Sequence, residues 1–369
     1  MRKKILFLVQ LPPPVHGTSV VNNYVVSFRS IQSKYECRTL PLHFADNLDD
    51  LGKVSFKKFR LLLATLIKLT GKLIFFRPHL VYFTIAPAGA AFYRDFLFSI
   101  LIKISRSKLL LHIHGRGFAE GSKRSKLYRE LCRMIFTNSY CIHLTESLKY
   151  DVPFLHIKNR YVVPNGIPEV NTNPVKRIVN NGIIHLLYLS NYVRAKGVLE
   201  LIDAIEKVTH HNNRLHLRLV GKPFDLTIDY LEDYIRKKNL SSFITVCGPK
   251  YDQAKYDELS NADILIFPTY YTNEAFPLVL LEAFDFGLPC ITTHQGAIPD
   301  IVENGVTGLL VEPRNIESLA GQILFLLNDV NLLNELGQNA RQKFLEKYTL
   351  PVFEKNLANV FDDILMKNS

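Results

Sequence analysis

Cysteine is scarce in this sequence of 369 residues. The five cysteines stand at Cys37, Cys132, Cys141, Cys247 and Cys290, and no C-x-x-C pair occurs among them. This scatter suggests neither a disulfide framework nor a structural zinc site. We therefore expect a reducing compartment and place the protein in the cytoplasm.

Long hydrophobic runs are also missing. No stretch of about eighteen uncharged apolar residues occurs, so no segment is expected to span a bilayer. The N-terminal MRKKILFLVQLPPP resembles a signal peptide, but its apolar run from Ile5 to Val9 is short and no small-residue cleavage site follows it. We interpret this run as a first strand.

Acidic residues are few in the first half of the chain. Residues 1–164 carry 26 Lys and Arg against 9 Asp and Glu, whereas residues 165–369 carry 19 against 25, within a net charge of +11. A basic half of this kind indicates a polyanionic partner. An anionic membrane surface fits better than nucleic acid, because the excess is spread over the half-chain and no nucleic-acid-binding module is recognised.

Short apolar runs alternate with segments of helical length along the whole chain. Strands that are apolar throughout, with helices between them, are typical of parallel sheets covered on both faces. With a mass of 42.3 kDa, the pattern predicts an α/β protein of two doubly wound domains. The predicted strands are KILFLV, CRTLPL, LVYFT, LLLHIHG and CIHLT in the first half, and IIHLLYLS, LHLRLVG, ITVCG, ADILIFPT, PCITT and TGLLVEP in the second.

A segment rich in Pro, Asn and Gly, from Val163 to Gly182, lies between these two sets of strands and is predicted to be the linker. The boundary gives a first domain at 1–164 and a second at 165–349. A break is expected at Pro351, and the final helix at 350–369 is expected to pack back on the first domain. Two such domains create a cleft at the carboxyl ends of their strands, where ligands of this fold class bind.

The stretch TNEAFPLVLLEAFDFG places two glutamates at the ends of an apolar run. Pro277 suits the first turn of a helix and Gly287 suits its end. The free amides and the positive dipole at the start of this helix form an anion site. Glu282 within the helix needs hydrogen-bond donors if it is buried, and paired sugar hydroxyls would satisfy it. The alternative is an exposed Glu282, with Glu274 as a capping carboxylate.

The segment from Glu274 to Pro313, EAFPLVLLEAFDFGLPCITTHQGAIPDIVENGVTGLLVEP, resembles the signature block of the retaining nucleotide-sugar glycosyltransferases of family 4, which have the GT-B fold. Glu274 and Glu282 match the E-x7-E motif, and the G-x-P turn, the turn at Gly296 and the NGVTGLLV ending follow in the family's order. Weaker resemblance extends along the chain. It implies two Rossmann-like domains facing a central cleft, the first binding the acceptor and the second the nucleotide sugar.

The resemblance implies a role for each residue of this block. Glu282 would bind the ribose hydroxyls of the donor, and Glu274 would bind hydroxyls of the transferred sugar. The backbone near the diphosphate would come from Ala275, Phe276, Pro277, Leu278 and Val279.

Lys196, in NYVRAKGVLEL, matches the lysine with which this family binds the diphosphate. It stands at the start of a predicted helix, where a lone cation is unfavourable unless an anion is bound. A solvated surface lysine is the alternative. The family commonly has an arginine five positions earlier, where this sequence has Asn191, and Arg194 is close enough in sequence to substitute for it.

Two positions of the first domain also match the family. Gly17, after the first strand, resembles the glycine whose backbone approaches the donor phosphates, as a residue without Cβ can. A plain strand-to-helix turn is the alternative. His114, in LLLHIHGRGF, matches the histidine beside the donor sugar, and His112 is expected on the same face. The two histidines also have a metal-like spacing, but no acidic or Cys partner lies nearby in the sequence.

No D-x-D motif occurs in the sequence, so we expect no metal and no other cofactor. Helix amides and Lys196 would stabilise the charge of the departing diphosphate. Glu274, His114 and Lys196 are the predicted catalytic residues. The resemblance implies front-face attack, in which the leaving phosphate takes the proton of the acceptor, rather than a carboxylate nucleophile. His114 is therefore not assigned as a general base.

The stretch KVSFKKFRLLLATLIKLTGKLIFFR, from Lys53 to Arg77, is basic and amphipathic. It could lie on an anionic bilayer, which would make the protein peripheral on the cytoplasmic face of the membrane. The alternative is a core-packing helix with a solvated basic face.

The resemblance thus implies an enzyme, a retaining hexosyltransferase. It would move a sugar from a UDP- or GDP-sugar to a hydroxyl of a glycan or lipid-linked acceptor in surface polysaccharide or glycolipid biosynthesis. The alternatives are a nucleotide-sugar epimerase or sugar phosphorylase of the same fold, or a non-catalytic two-domain ligand-binding protein.

Overall fold

The computed structural model describes residues 2–44, 56–154, 156–172 and 182–366. The chain divides into two compact units, one formed by Met1–Gly166 with Leu350–Ser369 and the other by Ile167–Thr349. Each unit contains a six-stranded sheet, and the paired strands run parallel. The predicted α/β class with two doubly wound parallel sheets is confirmed.

The strands follow the predicted apolar runs to within two residues at either end, because both faces of each sheet are covered and the runs are therefore continuous. Their bounds are β1 Lys4–Val9, β2 Glu36–Pro41, β3 Leu80–Ile85, β4 Lys108–Ile113, β5 Tyr140–His143, β6 Asn159–Val162, β7 Ile184–Leu189, β8 Leu215–Val220, β9 Ile244–Gly248, β10 Ile264–Phe267, β11 Cys290–Thr293 and β12 Gly308–Val311. Strand β6 was not predicted. It is a short edge strand that is only partly buried, so its sequence lacks the apolar run of the others.

Helices connect the strands in both units. Their bounds are α1 Gly17–Ser27, α2 Arg29–Lys34, α3 Phe56–Gly71, α4 Gly89–Ile104, α5 Phe118–Arg124, α6 Lys126–Phe136, α7 Val198–Thr209, α8 Ile228–Lys237, α9 Asp252–Asn261, α10 Leu278–Asp285, α11 Ile298–Ile301, α12 Ile316–Asn328, α13 Val330–Lys347 and α14 Leu350–Met366. A π-helical turn, Lys72–Phe76, follows α3, and a 3-10 turn, Arg194–Lys196, precedes α7.

The strand orders place the loops that can form a binding site. The first sheet has the order β2-β1-β3-β4-β5-β6 and the second has the order β12-β11-β10-β7-β8-β9. The order reverses between β1 and β3 in the first sheet and between β7 and β10 in the second. Ligands of doubly wound sheets bind outside the carboxyl ends of the strands at these switch points. The loops after β1, β3, β7 and β10 are therefore the first places to search.

The C-terminal helix α14 packs on the first sheet. The ring of Phe361 lies 6.1 Å from that of Phe7 and 5.9 Å from that of Tyr82, measured between centroids. Phe353 packs edge-on against Phe28, which precedes α2. The side chains of Leu6 and Leu8 belong to the core on the other face, because successive strand residues point to opposite sides.

The predicted break at Pro351 is displaced. The interruption lies between Lys347 and Leu350, and Pro351 is the second residue of α14. Proline is tolerated there because the amides of a first helical turn have no acceptor within the helix.

Part of the predicted linker is an ordered element of the second unit. The amide of Ile167 donates to the carbonyl of Tyr348 at 2.9 Å, and the amide of Val170 donates to the carboxylate of Asp285 at 2.9 Å. Residues 173–181 of the predicted linker lie outside the described residues. The units meet in sequence at Gly166 and Ile167.

The basic stretch predicted as amphipathic forms α3 and the π-helical turn, and its residues 53–55 lie outside the described part. Leu69 is the one fully buried side chain among the described residues of α3. Phe56 is 77% exposed and Ile67 is 73% exposed. Leu62 and Leu66 pack, partly buried, against the core of the first unit. One face of α3 thus packs on the core, as in the core-packing alternative, while Phe56 and Ile67 are exposed.

In the described ranges, no single helix is long and apolar enough to cross a membrane. The bent pair α12 and α13 meets the length and composition criteria only when the two helices are taken together.

Candidate functional site

The switch point of the second sheet brings two of the predicted site residues together. Lys196 ends the 3-10 turn that follows β7, and Glu274 lies in the loop that follows β10. The amide of Tyr270 donates to the carbonyl of Ala195 at 2.9 Å, so the two loops are joined through their backbones. The ammonium group of Lys196 forms an ion pair with the carboxylate of Glu274.

Gly197 permits the close approach of these loops. It has a φ of 81°, and a Cβ built on it would lie 2.2 Å from the carbonyl oxygen of Pro268. Any other residue would meet both a left-handed backbone and a clash with the chain after β10. The glycine that follows Lys196 is therefore required for steric reasons.

The side chain of Lys196 lies in an aromatic and acidic setting. Its Nζ atom is 4.9 Å from the ring centroid of Tyr271 and 5.3 Å from that of Phe267. Rings at this distance attract a cation through their negative faces. The surface-lysine alternative is wrong for Lys196, since its side chain is only 18% exposed.

Glu274 is 9% exposed. Its Oε2 atom also lies 3.5 Å from the hydroxyl of Thr269, and its amide donates to the carbonyl of Tyr271 at 2.9 Å. A buried carboxylate is tolerated when a cation neutralises it, and here that cation is Lys196. No side-chain cap was found at the start of α10 in the described part of the chain, so the alternative in which Glu274 caps this helix is wrong.

Helix α10 begins at Leu278, one residue after Pro277, which occupies the N-cap position rather than the predicted first turn. Gly287 adopts a φ of 66° just beyond the helix, as predicted for its end. The amide of Leu280 donates to the carbonyl of Pro277 at 3.2 Å, whereas the amides of Leu278 and Val279 precede the first intrahelical acceptor. Ala275 and Phe276 lead into this turn and are 5% and 8% exposed. Val279 lies in the first turn.

Glu282 has a partner that the sequence did not reveal. Its Oε1 atom accepts a hydrogen bond of 2.8 Å from the Nζ atom of Lys255, and both side chains are 23% exposed. Lys255 belongs to α9, and 27 positions separate it from Glu282. Only the tertiary fold brings them together, so neither helix carries a local signal for the pair. The partial burial agrees with neither an exposed Glu282 nor a fully enclosed one.

Asn191 and Arg194 are both exposed. The carbonyl of Asn191 accepts a hydrogen bond of 2.7 Å from the amide of Val193, and the amide of Arg194 donates to Asp225 at 2.9 Å. Asp225 thus holds the turn that carries Lys196. This carboxylate was not among the predicted residues, since it follows β8 without any motif.

The far end of α10 is held by buried charges. The carboxylate of Asp285 forms an ion pair with Arg341 of α13, and the same guanidinium group contacts Glu169. Arg341 also donates to the carbonyl of Asn171 at 2.6 Å. These contacts tie α10 to α13 and to the first residues of the second unit.

In the first unit, Gly17 is the first residue of α1, at the switch-point loop after β1. The preceding residue, His16, caps this helix: its Nδ1 atom accepts from the amide of Ser19 at 3.3 Å, and its own amide donates to the Ser19 hydroxyl at 3.0 Å. The reciprocal pair fixes the entry of the helix. Burial lowers the pKa of His16.

His114 follows β4, and its ring centroid lies 4.0 Å from that of His112. The Nε2 atom of His114 is buried and has no hydrogen-bond partner in the described residues. Burial, with a smaller contribution from His16, lowers the pKa of His114 to about 3, so its ring is neutral near pH 7. His112 is fully buried in β4, and its Nδ1 atom contacts the hydroxyl of Tyr82.

Among the described residues, no group of three or more His, Cys, Asp or Glu side chains is placed to hold a metal ion. The prediction that no metal takes part stays a prediction.

The sequence of the second unit decides the family. Residues 170–343 match the family described as glycosyl transferases group 1. Over these residues, which lie in its second unit, the chain matches that family. The predicted resemblance to a glycosyltransferase family is confirmed over these residues of the second unit.

Individual group 1 relatives are distant. The chain is 27% identical over 180 residues to the N-acetyl-alpha-D-glucosaminyl L-malate synthase of Bacillus anthracis, a match covering 49% of this chain and 45% of that protein. It is 24% identical over 265 residues to a capsular polysaccharide biosynthesis glycosyltransferase of Staphylococcus aureus, a match covering 68% of each. The chain thus spans less than half of the first relative and about two thirds of the second.

Solved structures resemble the chain over its whole length. A glycosyltransferase from Rickettsia africae has a TM-score of 0.77 at 17% identity, and the sucrose-phosphate synthase of Thermosynechococcus elongatus has a TM-score of 0.75 at 18% identity. Both likenesses cover 100% of this chain and 100% of the other. At this identity they concern the fold alone, and they confirm the predicted GT-B fold.

Proposed function

We propose that the protein is a retaining glycosyltransferase that moves a hexosyl group from a UDP- or GDP-sugar to a hydroxyl of a glycan or lipid-linked acceptor. The pairing of Lys196 with Glu274 beside the uncapped start of α10 is the observation that carries this proposal. A cation and free amides suit a diphosphate, and a buried carboxylate next to them suits sugar hydroxyls.

In this proposal the donor occupies the second unit. The diphosphate lies at the first-turn amides of α10, from Leu278 and Val279, and draws the ammonium group of Lys196. Glu274 then accepts hydrogen bonds from the transferred sugar. Glu282 accepts hydrogen bonds from the ribose, and Lys255 keeps that carboxylate oriented.

The bond between the anomeric carbon and the phosphate oxygen breaks while a bond from the acceptor oxygen forms on the same face of the sugar. The proton of the acceptor hydroxyl goes to the departing phosphate oxygen. Negative charge grows on the diphosphate during this step, so Lys196 and the start of α10 stabilise the transition state more than the ground state. No metal is needed for this charge stabilisation, and turnover should persist in EDTA.

The first unit would bind the acceptor. Gly17 has no Cβ, which would let a ligand approach the backbone after β1. The neutral ring of His114 has a buried Nε2 atom with no described hydrogen-bond partner, which suits a sugar hydroxyl. Arg194 would make the phosphate contact that an arginine at position 191 makes in the family. Arg194 is exposed and lies in the same turn as Lys196.

The function is tested by incubating the protein with UDP- and GDP-sugars in EDTA. A glycosyltransferase releases UDP or GDP slowly without acceptor and faster with one, and the anomeric configuration of the product is that of the donor. Saturable binding without release would support a ligand-binding protein instead. Interconversion of the sugar on an intact donor would support an epimerase, and release dependent on inorganic phosphate would support a phosphorylase.

We further propose that the protein associates with the cytoplasmic face of an anionic membrane through α3. The apolar side chains Phe56, Phe59, Leu63 and Ile67 are between 46% and 77% exposed, beside Lys57, Lys58 and Arg60. This combination is typical of interfacial helices. A lipid-linked acceptor in surface polysaccharide or glycolipid biosynthesis would then reach the enzyme from the bilayer.

Vesicle flotation tests this association. Ile67→Gln should weaken binding to anionic vesicles severalfold, because a buried methylene contributes about 0.8 kcal/mol. Phe325→Gln is the matched control, since Phe325 is also exposed, at 51%, but lies in α12 of the second unit. Equal loss in both variants, or no binding by the unaltered protein, would contradict the proposal.

A further inference from the structure

A pocket of about 650 Å³ lies in the first unit at the amino ends of β1, β3 and β4. Lys3 precedes β1, His79 precedes β3, and Lys108 begins β4. The amide of His79 donates to the carbonyl of Lys4 at 2.9 Å, and the amide of Lys108 donates to the carbonyl of His79 at 3.1 Å. The starts of these three strands are thus hydrogen-bonded to one another at one end of the sheet. Gly17 and His114 lie at the opposite, carboxyl ends of the same sheet, so this pocket is separate from the candidate site.

The lining of the pocket is strongly basic. Eleven residues line it, and no Asp or Glu is among them. Five of the eleven carry basic side chains. These are Lys3, Arg77, His79, Arg106 and Lys108. We name this group the basic pocket.

The positive charge of the basic pocket is not neutralised from within. In the described ranges, no salt bridge involves Arg77, Arg106, Lys3 or Lys108. Lys4, which follows Lys3 in the sequence, lies 4.0 Å from Glu36. The Nζ atom of Lys108 donates to the carbonyl of Ile364 at 2.6 Å, which fixes that side chain without removing its charge.

The pKa directions agree with this excess of charge. Burial, with Lys3, Lys4 and Lys108, lowers the pKa of His79. Burial, with Lys158 and Lys3, lowers the pKa of Lys108. Like charges therefore crowd the pocket, and a bound anion would relieve their repulsion.

Exposed apolar side chains border the basic pocket. Ile74 is itself a lining residue and is 54% exposed, and its neighbour Phe75 is 86% exposed. Ile104, at the end of α4 and two residues before Arg106, is 72% exposed. The pocket and this apolar rim are continuous with α3, and no Asp or Glu occurs in the sequence between Asp50 and Asp95. Anionic headgroups above a hydrocarbon layer match both features.

We propose that the basic pocket binds the phosphate group of an anionic phospholipid while the apolar rim of Ile74, Phe75 and Ile104 enters the acyl boundary. This proposal rests on the membrane association through α3. Without the basic pocket, α3 would bind an anionic membrane only through its overall positive charge and its exposed apolar side chains. The basic pocket adds a specific site for a lipid headgroup. Bidentate guanidinium groups such as those of Arg77 and Arg106 suit a phosphate.

The test uses a variant that is safe for the fold. Arg77 and Arg106 have φ values of 51° and 61°, a region in which glycine is more comfortable than arginine. Arg77→Gly with Arg106→Gly therefore removes both guanidinium groups without backbone strain. The matched control is Lys123→Gln with Lys126→Gln, which removes two exposed charges near the opposite end of the sheet.

Binding is measured by flotation of the full chain with phosphatidylcholine vesicles, with and without phosphatidylglycerol. The unaltered protein should prefer the anionic vesicles, and the double glycine variant should lose about tenfold or more of that affinity. The control variant should lose clearly less, and both variants should keep their affinity for UDP or GDP.

Three results would overturn the headgroup site. Equal binding to neutral and anionic vesicles leaves the membrane association intact but rejects the basic pocket as a phosphate site. Equal losses of affinity for anionic vesicles in the glycine and control variants would show that the overall positive charge, and not the basic pocket, causes the binding. Titration with glycerol 3-phosphate provides the third arm. Binding of this ester to the unaltered protein but not to the glycine variant, without any vesicle binding, would mean that the phosphate comes from a free metabolite and not from a lipid.

Discussion

The ammonium group of Lys196 contacts the carboxylate of Glu274 although 78 positions separate them in the chain. The two side chains come from the loops after β7 and β10, which are neighbours at the switch point of the second sheet. A diphosphate entering this site would compete with Glu274 for Lys196. The pair thus holds the cation in place beside the buried carboxylate.

Exchanging one partner of this pair at a time should separate their roles. Lys196→Met should weaken the binding of UDP or GDP by about ten- to a hundredfold, since a charged hydrogen bond contributes about 1.5–3 kcal/mol. Glu274→Gln should bind the free nucleoside diphosphate as tightly as the unaltered protein or more tightly, because Lys196 is released, while turnover falls about a hundredfold or more. Calorimetry and product release measure the two effects. A loss of UDP or GDP affinity in Glu274→Gln equal to that in Lys196→Met would contradict this division.

The proposed binding of the ribose by Glu282 can be tested with nucleotides that lack the 2′-hydroxyl of the ribose. The unaltered protein should bind UDP or GDP more tightly than the corresponding 2′-deoxynucleotide, by about 1–3 kcal/mol, because the carboxylate would be left without that donor. Glu282→Ala should bind both equally, and Lys255→Met should show a reduced preference. Lys237→Met is the control, since that lysine pairs with Asp233 on exposed α8. A full preference in Glu282→Ala would remove this residue from the site.

The steric demand at Gly197 predicts a stability effect. Gly197→Ala places a Cβ 2.2 Å from the carbonyl oxygen of Pro268 at a φ of 81°, so the second unit should lose about 2–4 kcal/mol of unfolding free energy. Gly321→Ala is the control. Gly321 lies inside α12 with nothing within 4 Å of an added Cβ, so this change should stabilise by about 0.5–1 kcal/mol. Urea unfolding measures both, and equal stability of the two variants would refute the close approach.

Buried histidines predict a loss of stability in mild acid. Burial, with Arg160 and Lys149, lowers the pKa of His143 to about 4, and the pKa of His114 is lowered to about 3. The unfolded chain, with an ordinary histidine pKa of about 6.5, binds more protons in this window. Their contribution to stability is therefore complete above about pH 6.5 and falls as the pH drops toward 4, by up to about 1.4 kcal/mol per pH unit for each histidine.

The urea midpoint at about pH 7 and pH 5 measures this loss. His143→Leu should show a smaller drop than the unaltered protein, because one of the titrating groups is gone. His210→Gln changes an exposed histidine and should leave the drop as it was. A drop of the same size in all three proteins would show that groups other than His143 cause it.

Much of the fold could be predicted because its strands are buried on both faces. Continuous apolar runs such as Leu80–Ile85 and Ile264–Phe267 have no other simple interpretation when helices separate them. The exposed edge strand Asn159–Val162 has no such run and was missed. The break near Pro351 was predicted in the right region but displaced, because proline is compatible with a first helical turn.

The site could be predicted only in part. Glu274, Lys196 and Gly197 stand in segments that resemble family motifs, so they could be identified from the sequence. Lys255 and Asp225 stand in no motif, although they hold Glu282 and the turn of Lys196.

The sequence by itself determined the two parallel sheets, the family of the second unit and the positions of its two glutamates. It could do so because periodicity and motif spacing are local properties of the chain. Only the tertiary structure decided which charges meet: Lys196 with Glu274, Lys255 with Glu282, and the five basic side chains at the amino ends of the first sheet. Electrostatic energy depends on distances in space, and strand order, rather than sequence separation, sets those distances.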